Sequence, residues 1–346
     1  MEEVNKNISQ PTNNPDGNER VEKTQSGGIS RRTVIKALAG VPVAGLFGFN
    51  LLKKNNYEKN KRNDILKELG FDQMEFPVPD YGNKAPKEII RIGFIGFGTR
   101  AQALAKGLGF IHPDEMIRLK KNNSLVNWLE QENLHVSITG ICDVFDLHAE
   151  KGIVTADNNI FSGTKQYPVK RYLHYQDMLA DKDIDAVVIA TPDHHHALMA
   201  IEAAKANKHV YLEKSVAHSE EELNELYKVI KSSNITFQLG HQITQSTVFK
   251  QAKEIIDKDI LGKITLVQTT TNRNTSEGAW IRHLDSKGNP KPGNDRNIDW
   301  KQWLGTTPFV PFSIERFYNW TQWFAYDTGM IGQLFTHEFD AVNQLL

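Results

Sequence analysis

The sequence predicts an α/β protein: a doubly wound parallel sheet followed by a smaller α+β domain. Three observations carry this. From Glu88 onward, short apolar runs alternate with helix-length segments, and Gly96 and Gly98 sit directly between the first run and the first helix. Residues with binding chemistry then recur at the carboxyl ends of successive runs. Strands joined by helices of this length need crossover connections, and crossovers pair strands in parallel.

The elements follow in order. Ile89-Ile90-Arg91-Ile92-Gly93-Phe94-Ile95 is a near-continuous apolar run, as expected of a strand buried on both faces. Thr99 to Leu108 reads as a helix, Val136 to Cys142 as the second strand, and a short strand falls near Val169. Asp185 to Ala190 is a strong strand followed by an amphipathic helix, Ala197 to Ala206. His209 to Leu212 is a strand, Glu220 to Lys231 a helix, and Ile235 to Gly240 the last strand of the series. After Gln242 the alternation weakens to a helix (Val248 to Ile256), a strand (Lys263 to Thr271) and a Trp-rich stretch.

The chain of 346 residues has room for about two domains. Its net charge of −1 gives no reason to expect a nucleic-acid partner, and with Cys142 as the one cysteine no disulfide within the chain exists. Residues 1–29 hold almost no apolar side chains and are expected to be disordered. Ser30-Arg31-Arg32-Thr33-Val34-Ile35-Lys36 then precedes a mild apolar run, Ala37 to Phe49. Twin arginines before an apolar stretch too short to span a bilayer read as a Tat export signal, so residues 1–50 form an n-region plus signal and the expected location is the periplasm. No small-x-small cleavage site follows in place, which leaves a membrane tether open. Residues 51–87 read as a linker, 88–240 as the nucleotide-binding domain and 241–346 as the second domain.

Gly96 allows the tight strand-to-helix turn, Gly98 lets backbone approach a pyrophosphate, and Ala101 is the small residue where helix meets strand. With Thr99 and Arg100 they open a helix whose N-terminal N–H groups suit phosphates, the arrangement of a Rossmann dinucleotide site. A ribose-binding acid is expected at the end of the second strand, where Asp143 stands. It lies 47 positions beyond Gly96, against about 20 in the usual fingerprint, and Phe110 to Leu134 reads as a surface insertion. A carboxylate there accepts from a ribose 2′-hydroxyl and repels a 2′-phosphate, which favours NAD over NADP. The plainer alternative is that Asp143 caps the loop.

Thr191-Pro192-Asp193-His194-His195-His196 ends the strongest strand. Adjacent side chains diverge, so no metal site is expected; His194 or His196 is expected to line a nicotinamide pocket. Glu213-Lys214 ends the next strand, and a lysine beside an oxidised nicotinamide has its ammonium form disfavoured and can take a hydroxyl proton. Gln242 follows the last strand, and Gln333, His337 and Asp340 share one stripe of a late helix. On that stripe Asp340 is expected to orient His337, and Gln333 to reach a substrate hydroxyl; a buried histidine beside a surface aspartate is the alternative. Five of the six tryptophans lie between Trp280 and Trp323, equally suited to a sugar platform or to core.

Gly93-Phe94-Ile95-Gly96-Phe97-Gly98, Ala190-Thr191-Pro192-Asp193-His194, Glu213-Lys214 and His337-Glu338-Phe339-Asp340 together resemble the Gfo/Idh/MocA oxidoreductases. The resemblance implies a Rossmann domain joined to an α+β domain, NAD(P), a sugar, polyol or related CH–OH substrate, and a dimer or tetramer. It makes Lys214 the catalytic lysine and His337 the late catalytic histidine. With its twin-arginine leader the chain also resembles glycoside hydrolase family 109, which implies glycoside cleavage by transient oxidation with retained NAD. Ser215 stands where the family has proline, and Gln333 where many dehydrogenases have aspartate. Family members continue beyond the position of Leu346, so the second domain is expected to be incomplete. A non-catalytic nucleotide- or sugar-binding protein, or a truncated pseudo-enzyme, is the third reading.

Overall fold

The computed structural model describes residues 89–161, 167–242, 244, 246–271, 280–282, 284 and 293–346. The expected twin-arginine signal and linker lie outside the described residues.

Six strands form one parallel sheet: β1 (Ile90–Ile95), β2 (Val136–Cys142), β3 (Lys170–Tyr172), β4 (Ala186–Ile189), β5 (His209–Glu213) and β6 (Phe237–Gly240). Their spatial order is β3-β2-β1-β4-β5-β6, the Rossmann order, with its topological switch between β1 and β4. The central strands are buried on both faces, as their unbroken apolar runs require: all seven residues of β2 and the last four of β1 are buried.

The helices of this domain are α1 (Thr99–Gly107), α2 (Pro113–Lys121), α3 (Leu125–Leu129), α4 (Asp146–Ala156), α5 (Tyr175–Ala180), α6 (His196–Lys205) and α7 (Glu220–Ser232). The Phe110 to Leu134 insertion is α2 and α3. Pro113 sits in the first turn of α2, His112 caps it, and the Trp128 indole donates to the Lys106 carbonyl, tying α3 to the end of α1. Ser219 caps α7 by accepting from Glu222 N, while the Glu222 carboxylate accepts from His218 N. One apolar cluster, with Leu212, Met178 and Ala200, covers one face of the sheet; a second, with Phe94, Phe97 and Ile141, covers the other.

The later part comprises α8 (Thr247–Asp257), α9 (Trp300–Leu304), α10 (Ile314–Tyr318), a π-helical turn at Ile331–Phe335 and α11 (Thr336–Leu345). A third cluster joins it to the end of β2: Phe145 packs with Ile298, Trp300, Trp303, Phe317 and Tyr326. The strand expected over Lys263 to Thr271 is not formed among the described residues; the segment has no regular secondary structure and is exposed throughout. Alternation gives a strand its two faces, but the strand forms only against a neighbour that takes up its backbone N–H and C=O groups.

Candidate active site

Because the strands are parallel, their carboxyl ends lie along one edge, and a cavity of about 940 Å³ opens there. At the end of β1 the chain turns at Gly96, whose φ is +83° and whose N–H donates to the Cys142 carbonyl. A Cβ on Gly96 would lie 2.7 Å from the Ala190 carbonyl oxygen, whereas one on Gly98 would meet no atom within 4 Å. Gly98 caps α1 without a side chain, and the first turn of α1 carries no acid. Backbone N–H groups there face open space, and that cradle fits a dinucleotide pyrophosphate. Ala101 is fully buried behind it.

Asp143 closes β2. Its Oδ2 accepts from Phe97 N (2.5 Å) and its Oδ1 from Phe145 N (2.8 Å), with His148 Nδ1 3.5 Å from Oδ2. It therefore clamps the glycine turn and caps its own loop while also lining the cavity.

At the end of β4, Thr191, Pro192 and Asp193 line the cavity. Of the three histidines, His195 lines it and neither His194 nor His196 does, contrary to expectation. All three rings are held by backbone carbonyls. Nε2 of His194 and of His195 both meet the Trp303 carbonyl, at 2.9 and 2.8 Å, and His196 lies between the carbonyls of Ser215 (2.5 Å) and Thr191 (2.8 Å). Burial pushes His194 down to about 4 and His195 to about 3. Both rings are thus neutral near pH 7, and each spends its single N–H on Trp303.

At the end of β5 the buried Glu213 accepts from Arg100 Nε (2.6 Å), and Arg100 also reaches Gln242 (3.3 Å). The next residue, Lys214, points its Nζ to Gln333 Oε1. Burial holds its amine below the ordinary lysine range; Asp193, Glu213 and Asp327 oppose that shift and Arg100 adds to it. The Lys214–Ser215 peptide is cis. Ser215 is buried and its hydroxyl bonds Thr328 Oγ1 at 2.7 Å.

The expected stripe of Gln333, His337 and Asp340 does not act as one. The π-helical turn carries Gln333 and widens the helix, so a four-residue step no longer completes a turn. Asp340 accepts from Thr244 Oγ1 and Gln344 Nε2 and lies 3.6 Å from His241 Nδ1, so it partners His241 rather than His337. His337 packs edge-on to His241, with its Nδ1 buried and unpartnered among the described residues. Burial and the charges of His241 and Lys214 lower its pKa. Gln333 is held by protein at both ends: Oε1 takes Lys214, and Nε2 gives to Asp193 and Asp327.

The late tryptophans divide between the two roles. Trp280, Trp303 and Trp320 line the cavity, as do Phe317 and Tyr318. Trp300 stacks on Trp303 at 4.5 Å, and Trp323 lies under Arg316. Residues that sequence reasoning missed are Asp327, Thr328 and Gln302. Gln302 Nε2 donates to the Leu173 carbonyl after β3. Nearby, Asp146 N donates to Asn297 O and Asp299 N to Val144 O, so the later half bridges the β2 and β3 ends of the cavity.

Residues 90–241 match the model of an oxidoreductase family with an NAD-binding Rossmann fold, Gfo/Idh/MocA. The uncharacterized oxidoreductase YrbE of Bacillus subtilis is 36% identical over 97 residues, covering 28% of each chain. Levoglucosan dehydrogenase of Pseudarthrobacter phenanthrenivorans is 36% identical over 90 residues, 26% of this chain and 23% of the relative. A glycosyl hydrolase family 109 protein of Shewanella baltica is 30% identical over 203 residues, 56% of this chain and 35% of the relative. Among solved structures, myo-inositol 2-dehydrogenase of Lactobacillus plantarum is 25% identical, over 51% of this chain and 43% of that one, with a TM-score of 0.39. The chain thus spans about a quarter to a third of the length of the curated relatives it matches. The segment that matches the Gfo/Idh/MocA oxidoreductase family model, residues 90–241, is the one that carries the glycine cradle, Asp193 and Lys214.

Proposed function

We propose that the protein is an NAD-dependent oxidoreductase acting on a CH–OH group of a sugar or polyol. One observation carries this reading: the glycine cradle and a desolvated lysine, Lys214, line the same cavity. A bound nicotinamide supplies the hydride acceptor. Gly96, Gly98 and the first turn of α1 would hold its pyrophosphate, and Asp143 favours the unphosphorylated ribose of NAD over NADP. Lys214, whose ammonium form burial disfavours, takes the substrate hydroxyl proton. His337 is outside the cavity lining, with its Nδ1 unpartnered among the described residues, and is the second proton group through the family resemblance. Trp280, Trp303 and Trp320 offer aromatic faces to sugar C–H groups. The test is to titrate the purified protein with NAD and NADP, then add sugars and polyols while following nicotinamide absorbance. Binding of neither nucleotide overturns the reading.

A second reading is glycoside cleavage with NAD retained. The similarity to a glycosyl hydrolase family 109 protein over 203 residues supports it; the Asn297–Asp299 bonds to Val144 and Asp146 would slow release of a nucleotide bound at that end. Release of sugar from an aryl glycoside with no net nicotinamide reduction would select it. The Arg31-Arg32 segment supports Tat export to the periplasm. A twin-lysine variant that still reaches the periplasm would sink that reading.

A further inference from the structure

Gln333 joins Lys214 to two buried carboxylates. An amide has a fixed polarity: its oxygen only accepts and its nitrogen only donates. Lysine only donates and carboxylates only accept, so a single orientation satisfies all three neighbours. Gln333 Nε2 lies 2.6 Å from Asp327 Oδ1 and 2.9 and 3.1 Å from the two oxygens of Asp193. Asp193, Asp327 and Gln333 are all at least 95% buried.

The remaining contacts of this cluster are neutral. Asp193 accepts from Thr328 N and Oγ1, and Asp327 from Gly329 N. Since the Thr328 hydroxyl gives its proton to Asp193, the Ser215 hydroxyl donates to Thr328. Among the described residues no ion pair reaches either carboxylate. Their counter-charge is Lys214, across one amide.

We propose that Asp193 and Asp327, coupled to Lys214 through Gln333, form a buried acidic pair that sets the charge of Lys214, with Asp327 as the positioning residue that gains and loses the proton. Gln333 cannot pass a proton between them, so the pair acts through its field. Burial and the adjacent Asp193 push Asp327 up to about 6. Below that pH the pair loses one negative charge, and the Lys214 ammonium loses part of its support. The other groups facing Lys214 are Glu213, Arg100, His241 and His337. Glu213 is paired with Arg100, and burial lowers both histidines; of this set, Asp327 is the acid that Gln333 links directly to Lys214.

The inference deepens the proposed role of Lys214 and depends on that role only for its catalytic consequence. Its test needs neither cofactor nor substrate. Only a neutral amine reacts with an acylating reagent, so the labelling rate of Lys214, read by peptide mass spectrometry on the full chain, reports its neutral fraction. Exposed Lys301 serves as the reference in the same sample. For an isolated amine, log rate rises with unit slope against pH. In the intact protein the Lys214 line should show a shoulder near pH 6, where ionising Asp327 makes the ammonium harder to deprotonate. Asp327→Asn should remove the shoulder and lower the Lys214 midpoint by about one pH unit; Asp327→Glu should keep both. A straight unit-slope line through pH 6 in the unmodified protein overturns the proposal, and that measurement requires no variant to fold. A shoulder that persists in folded Asp327→Asn overturns it equally. Failure to bind any nicotinamide nucleotide would sink the proposed function and leave this result standing.

Discussion

At the scale of single residues, the two glycines of the turn are required for different reasons. Gly96 is held by the fold, through its positive φ and the carbonyl that a Cβ would strike; Gly98 is unconstrained by protein atoms and faces the cradle. Gly96→Ala should therefore destabilise the domain by about 2 kcal/mol, read as a lowered Tm. Gly98→Ala should leave Tm nearly unchanged and still weaken NAD binding at least tenfold, read by calorimetry, because its methyl would occupy the space a phosphate needs. Similar Tm losses for both would refute the distinction. The histidines after β4 give a pH signature. His194 and His195 have folded pKa values of about 4 and 3, against an ordinary value of about 6.5. Between these limits the unfolded chain binds more protons, so stability is full above pH 6.5 and falls as pH drops toward 4, by ~2 kcal/mol per histidine at pH 5. Asp327, raised to about 6, acts in the opposite sense over the same window. The check is therefore differential: His195→Gln keeps a donor for Trp303 and should flatten the acid slope of Tm relative to the parent.

At the scale of elements, what the sequence revealed depended on local marking. Val136 to Cys142 was legible to the residue, because a fully buried strand is apolar or small throughout and its ends meet polar loop residues. β3 was nearly invisible: three residues, one of them buried, paired only to β2. The five binding motifs all fell on one edge because parallel pairing forces that edge, and their order along the chain already showed it. Their detailed partners were not legible. Three adjacent histidines read alike, and the Trp303 carbonyl that holds two of them lies more than a hundred residues away. The π-helical turn has no period to announce it, and it alone separates Gln333 from the stripe of His337 and Asp340. One consequence is testable. Asp340 serves His241, Thr244 and Gln344, so Asp340→Asn should cost about 1 kcal/mol of stability while leaving the Lys214 labelling midpoint in place. A moved midpoint would return Asp340 to the lysine's circuit.

For the molecule as a whole, the question is what ties the later half to the sheet edge. The ties lie at both ends of the edge: Gln333 and Thr328 bond Lys214, Asp193 and Ser215, Thr336 bonds His241, the Trp303 carbonyl takes two histidines, the Val144–Asp146 loop pairs with Asn297–Asp299, and Gln302 reaches the Leu173 carbonyl. The aromatic cluster around Phe145, Trp303 and Tyr326 fills the space between them. This half supplies part of the cavity lining, including Trp280, Trp303 and Trp320, so cofactor exchange is expected to depend on how firmly it is held. The Gln302 amide is the side-chain tie that can be removed with the least damage, because Asp299 still caps α9 by accepting from Gln302 N. Gln302→Ala deletes two exposed side-chain hydrogen bonds, one local to Asp299 Oδ2 and one to the Leu173 carbonyl; the second, the only one of the two that ties the halves, is worth about 1 kcal/mol, which is roughly a fivefold effect if it falls on the opening step. NAD release, followed by stopped flow after mixing with excess competing nucleotide, should therefore quicken about fivefold. Association should change less, since loosening a closed state acts mainly on escape. If release stays at the parental rate while the variant folds normally, this tie does not hold the nucleotide. The case for glycoside cleavage with retained NAD then loses its structural support and rests on the family 109 similarity.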